Sequence, residues 1–140
     1  MTSYDDGNIF AKILRGEIPS LKLYEDDTAI AVMDIMPQSK GHCLVIPKAP
    51  SRNLLDADDA TLAAVMPIVA RLARAVRTAF NADGVRIAQF NEESAGQTVF
   101  HLHFHVVPAY EGVSLAPHAG GSATPAELEK QAEQIRAALG

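Results

Sequence analysis

The run from Val99 to Val107 places His101, His103 and His105 alternately with Leu102, Phe104 and Val106, and this constrains the chain most. A strand turns successive side chains to opposite faces, so the three imidazoles would share one face and the hydrocarbon the other. The apolar face then needs something to pack against. Leu62, Val65, Met66, Val69, Leu72, Val76 and Phe80 recur at three- and four-residue spacing, which predicts one long helix capped by Asp58 or Asp59. Pro67 is expected to kink that helix or break its first turns. Arg71, Arg74 and Arg77 fall on its remaining, solvated face.

The other segments are shorter. Asn8 to Arg15 predicts a helix ended by Gly16 and Pro19. Leu21 to Glu25 and Thr28 to Asp34 are apolar runs joined at Asp26-Asp27, the pattern of a hairpin. Pro37 to Gly41 is a loop and His42 to Pro47 the next strand. Asp83-Gly84 turns into a strand from Val85 to Asn91, followed by a polar loop to Gln97. The strand from Val99 is expected to stop at Pro108, and Glu111 to Ala123 to be irregular. Thr124-Pro125-Ala126-Glu127 has the form of a capping box, opening a last helix with Leu128, Ala132, Ile135 and Leu139 on one stripe. The connections between neighbouring strands are mostly too short for parallel crossovers, which favours the α+β class, an antiparallel sheet with helices on one face. The 140 residues fit one domain, with a core over about 8–110 and a C-terminal loop and helix over 111–140.

Composition removes several functions. A formal charge of −5 opposes a nonspecific nucleic-acid binder. One cysteine, Cys43, excludes an intrachain disulfide and a multi-cysteine zinc site. No apolar run has the length of a membrane span, and the acidic start is unlike a signal peptide, so a cytoplasmic protein is expected.

Three imidazoles on one face have no packing rationale. They suit either a metal ion or a phosphate, with one imidazole as nucleophile and the others as donors. Ala95-Gly96-Gln97-Thr98 just before them offers a glycine turn, an amide, a hydroxyl and backbone N–H groups, which are donors for an anion. The only close carboxylates in sequence are Glu92 and Glu93, so the approach favours the anion over the metal. His42 would join the group if its strand is adjacent. Cys43, one residue on, then faces away into the core. His118 falls in the glycine-rich stretch and is expected in solvent. Asp34, where a strand meets the Pro37 loop, is either a turn cap or an acceptor for a pair of sugar hydroxyls.

With these residues in view, His101-Leu102-His103-Phe104-His105-Val106-Val107 resembles the signature of the histidine-triad (HIT) superfamily. Asn8-Ile9-Phe10-Ala11-Lys12-Ile13, Gly16-Glu17-Ile18-Pro19, Tyr24-Glu25-Asp26-Asp27, Gly41 to Lys48 and Gly96 to Val99 extend the resemblance to its Hint-like, histidine-triad nucleotide-binding branch. The resemblance implies a five-stranded antiparallel sheet with a long helix and short helices, extended across a homodimer. It implies a purine nucleotide (an AMP or GMP moiety) as partner, and hydrolysis of a phosphoramidate or related nucleotidyl bond through a covalent nucleotidyl-histidine, with no cofactor required. By position, His103 is then the nucleophile, His101 and His105 phosphate contacts, and His42 a supporting histidine. Asp34 takes the place of the ribose acceptor. Asn91, Gln97 and Thr98 match phosphate-side or leaving-group contacts, with Thr98 where that branch commonly has serine. Phe10, Ile13, Ile18 and Ile35 resemble the walls around the base. Dinucleoside polyphosphates as substrates, a binding or scaffold role with little turnover, and a histidine-cluster metal site are the alternatives.

Overall fold

Asn8 opens the first helix because its side-chain oxygen accepts the Ala11 N–H, and α1 runs over Ile9–Leu14 before Gly16 leaves at a positive φ. This is a computed structural model that describes residues 3–117 and 122–140. The expectation for His118 lies outside those residues. The hairpin of β1 (Lys22–Glu25) and β2 (Ala29–Met33) is set by Asp26, whose Oδ1 accepts from the N–H groups of Thr28 and Ala29. β3 (Cys43–Pro47) follows, then α2 (Asp59–Ala79), capped by Asp58. β4 (Gly84–Ala88), β5 (Phe104–Ala109) and α3 (Pro125–Leu139) complete the order. Thr124 caps α3 by accepting from the Glu127 N–H.

The sheet has five strands in the order β1-β2-β3-β5-β4, and every neighbouring pair is antiparallel. α2 and α3 cover one face, packing Val65, Leu72, Leu128 and Ile135 on Ala31, Val45, Phe104 and Val106. The helices are not confined to that face. β2 and β3 are apolar on both sides, and α1 covers part of the second side with Phe10 against Ile30, Val32, Leu44 and Ile46. Cys43 is fully buried on the α2 side.

Three elements, α2, β4 and β5, differ most from the sequence expectation. α2 passes through Pro67 as one helix, unbroken. β4 ends at Ala88 because the side chains of Gln89 and Asn91 bond to each other and Asn91 also accepts from the Leu54 N–H, turning the chain out of the ladder. β5 begins at Phe104 rather than Val99 and continues through Pro108. Before it, Leu102 bonds to the Ser51 carbonyl rather than to a strand. β3 pairs only with Phe104 to Val106, so Pro108 lies past that ladder, where a missing N–H is tolerated. The alternation survives the shorter strand. Leu102, Phe104 and Val106 enter the core, and the three histidines take the other side. No helix among the described residues is long and apolar enough to cross a membrane.

Candidate active site

A cavity opens on the α1 side of the sheet. Phe10 and Ile13 of α1, with Ile18 after it, form one apolar wall, and Ile35, two-thirds exposed, forms part of the rim. Asp34, Thr98, His103 and His105 supply its polar edge. A second, more open cleft shares Ile9, Thr98 and Val99 with it and runs past Asp5 and Arg52.

The hydrogen-bond partners fix where the ring protons sit. Nδ1 of His103 lies 2.6 Å from the carbonyl oxygen of His101. A carbonyl only accepts, so Nδ1 carries the proton and Nε2 of a neutral ring keeps its lone pair. The Phe10 ring meets the imidazole edge to face at 4.7 Å, holding its plane. His101 is buried behind this pair. Its Nε2 donates to the Pro47 carbonyl at 2.7 Å, and its Nδ1 accepts from the Tyr4 hydroxyl at 2.6 Å. Burial lowers the His101 pKa from the ordinary imidazole value, against the opposing pull of the Pro47 carbonyl. The ring of His101 therefore sits outside the cavity, with both nitrogens engaged by the protein, while its backbone holds His103.

β3 and β5 are neighbours with Leu44 opposite His105, which brings His42 to His105. Nε2 of His42 lies 3.0 Å from Nδ1 of His105 and 3.3 Å from Oδ2 of Asp34. The other ring nitrogen of His42 accepts from the Gln38 backbone N–H at 3.0 Å. Asp34 also caps its own turn, Oδ1 accepting from the Met36 N–H. Among the described residues Asp34, His42 and His105 form a group whose donor atoms lie within 4.8 Å of one another. The carboxylate nearest the histidines is thus Asp34, not Glu92 or Glu93. Glu92 is held by Arg52 in a bidentate pair and by Asn53, and the Arg52 contact lowers its pKa. A metal fits the Asp34 group poorly. Metal at Nε2 of His42 would drive that ring's proton to Nδ1, into the Gln38 N–H.

Asn91 and Gln97 do not line the cavity. Gln97 is buried, its amide donating to the carbonyls of Arg52 and Val99 and accepting from the Glu92 N–H and the Asn53 amide. It anchors a loop in which Glu92 takes a positive φ of 76°, and it leaves the next residue, Thr98, exposed at the junction of the two cavities. Tyr4 and Gln38 went unnoticed in the sequence. Neither belongs to a motif, and each acts through contacts made only after folding.

The sequence matches the HIT domain family over residues 15–112. The chain belongs to the HIT family. Within it the Hint-like branch is indicated by a relative named adenosine 5'-monophosphoramidase HNT1 from Saccharomyces cerevisiae. That HIT protein is 42% identical over 104 residues, 74% of this chain and 63% of its own. A crystal structure of a Hit-like protein from Bartonella henselae, described as involved in cell-cycle regulation, superposes with a TM-score of 0.93 and 55% identity over 98% of this chain and 99% of that one. A zinc-bound HIT protein from Mycobacterium smegmatis superposes with a TM-score of 0.84 and 38% identity over 94% and 92% of the two chains.

Proposed function

We propose that this HIT protein hydrolyses a phosphoramidate or related nucleotidyl bond of a purine nucleoside monophosphate derivative, with Nε2 of His103 attacking phosphorus. The observation that carries this reading is the His103 Nδ1 bond to the His101 carbonyl, which leaves Nε2 as the nucleophilic lone pair of a cavity-lining ring. Attack forms the bond from Nε2 to phosphorus and breaks the bond from phosphorus to the leaving group. Water then cleaves the nucleotidyl-histidine and releases the monophosphate.

The rest of the cavity supports the same reading. The apolar wall of Phe10, Ile13 and Ile18 suits a base, and the Asp34 carboxylate at its edge suits ribose hydroxyls. His105 and Thr98 face the phosphoryl and leaving-group side, and the open cleft beyond Thr98 has room for the departing group. His101, whose ring nitrogens are engaged, acts through its backbone carbonyl and its packing. The donor set asks for no metal in the chemistry. Elemental analysis of purified protein, with chelation, tests that point against a catalytic zinc. A second copy of the chain is proposed to pair along exposed Ile87 of the β4 edge and Met66 of α2, which light scattering in solution tests.

The deciding experiment is a turnover panel of adenosine and guanosine phosphoramidates, aminoacyl adenylates and dinucleoside polyphosphates, run with wild type and His103→Ala. Hydrolysis of the phosphoramidates lost in the variant supports the reading. Tight monophosphate binding without turnover of any class would instead establish a binding protein.

A further inference from the structure

The loop that presents His42 is tied to β5, to α3 and to the segment between them. Gln38 and Ala116 exchange two bonds, the Gln38 amide donating to the Ala116 carbonyl at 3.0 Å and the Ala116 N–H to the Gln38 carbonyl at 2.9 Å. The Ser39 hydroxyl donates to the Pro108 carbonyl at 2.6 Å. The Gly41 N–H donates to the buried Gln131 side chain of α3 at 3.1 Å. These bonds fix the direction of one further donor, the Gln38 N–H, which points at Nδ1 of His42.

That direction decides the protons on two rings. A backbone N–H only donates, so Nδ1 of His42 must be the lone-pair nitrogen and Nε2 must carry the proton. Nε2 lies nearer to Nδ1 of His105 than to the Asp34 carboxylate, at 3.0 Å against 3.3 Å. Donation to His105 makes its Nδ1 an acceptor and leaves its proton on Nε2. His105 then offers the cavity an N–H rather than a lone pair. Toward an anionic phosphoryl group the first attracts and the second repels.

We propose that Gln38, locked to Ala116 of the C-terminal segment, is a positioning residue that sets the tautomers of His42 and His105 and so makes His105 a donor to the substrate. The segment over residues 113–117 thereby becomes part of the active-site support, although it contributes no group to the cavity lining. The consequence for turnover rests on the proposed hydrolysis, whereas the proton arrangement stands without it.

The test uses full-length protein labelled with 15N in its histidines, as wild type, Gln38→Ala and Ala116→Pro. The first variant removes the amide clamp and the second removes the returning N–H. Long-range proton–nitrogen spectra, assigned with His42→Gln, report which ring nitrogen of each histidine is protonated. Wild type is expected to show Nε2 protonated on both His42 and His105. In the variants these signals move toward the other tautomer, and kcat on an adenosine phosphoramidate falls about tenfold with KM within about twofold and melting temperature near wild type. Protonation of Nδ1 on wild-type His42 overturns the proposal. So does loss of kcat with unchanged tautomers, which a merely structural role would produce, and so do two variants that keep both tautomers and rate. Absence of hydrolysis in wild type overturns the proposed function instead, and leaves the spectra to decide the proton arrangement.

Discussion

The ring of His103 is oriented by the carbonyl of His101, two residues before it, at 2.6 Å from Nδ1. One local bond thereby selects tautomer and rotamer together, because the accepting oxygen admits only the Nδ1–H form. The ring proposed as nucleophile is thus oriented by the backbone of its own strand approach.

His103→Ala is therefore expected to lower kcat by about 10⁴-fold or more, since the proposed covalent intermediate forms on that ring. Nucleotide binding and melting temperature should change little. Rapid quench of wild type with labelled substrate, followed by peptide mass spectrometry, should find the nucleotidyl group on His103. Label on another residue, or comparable turnover by the variant, would remove His103 from this role.

Thr98 stands exposed where the two cavities meet, so its hydroxyl can donate on the proposed leaving-group side. Thr98→Ala is expected to reduce kcat/KM for an amine leaving group by roughly tenfold, the scale of one hydrogen bond of about 1.4 kcal/mol. Thr98→Ser keeps the hydroxyl and should stay near wild type, while Thr98→Val keeps the shape and should match alanine. Equal rates for valine and serine would show that the hydroxyl takes no part.

Much of this arrangement was legible in the sequence, and the exceptions have a common cause. Period-two alternation divided the histidines from Leu102, Phe104 and Val106, and that division holds although the chain bends at Val99 to His101 and the regular strand begins only at Phe104. The caps at Asp58 and Thr124 were readable because a cap is a contact within one turn. His42 joins the histidines because its strand is adjacent, as the sequence allowed, whereas the approach of Asp34 to them was not legible, since it comes from a separate segment. Gln97 illustrates the other limit. Its amide looked like a donor to an anion, and only the fold shows that the loop around it uses up that amide.

His101 makes stability depend on pH. Its pKa is lowered by burial, so between that value and the ordinary one near 6.5 the unfolded chain binds the proton that the folded ring refuses. The stabilisation is complete above about 6.5 and shrinks as the pH falls toward the lowered value. Thermal melts from pH 8 to 5 should show the loss, and His101→Asn should flatten it. Tyr4→Phe removes the donor to Nδ1 and should lower stability by about 1 kcal/mol at neutral pH. A wild type and His101→Asn with parallel pH profiles would contradict the assignment.

Gly41 precedes His42 and combines two constraints. Its φ is 90°, and a Cβ there would lie 2.3 Å from the Phe80 ring. Gly41→Ala is expected to cost about 2–4 kcal/mol, from backbone strain plus displacement of the ring. It should also reduce turnover in the fraction that stays folded, because the shift reaches the loop holding His42. Denaturant titration and kcat below the melting range read the two effects separately. Wild-type values of both would mean that the loop yields freely.

Gln97 separates a contact with nucleotide from a scaffold role. Its amide hydrogens serve two carbonyls, and its oxygen serves the Glu92 N–H and the Asn53 amide, all in a side chain 2% exposed. Gln97→Ala would strand those buried partners and is expected to cost about 3 kcal/mol, lowering the melting temperature by roughly 10 °C for a chain this size. Gln97→Glu is the sharper probe. It keeps the shape and the accepting oxygen but turns a second oxygen toward the Arg52 and Val99 carbonyls, so it should destabilise at neutral pH at least as much. A nucleotide contact predicts the opposite pattern, a raised KM with an unchanged melting temperature. Thermal melts of both variants, with and without adenosine monophosphate, distinguish the two.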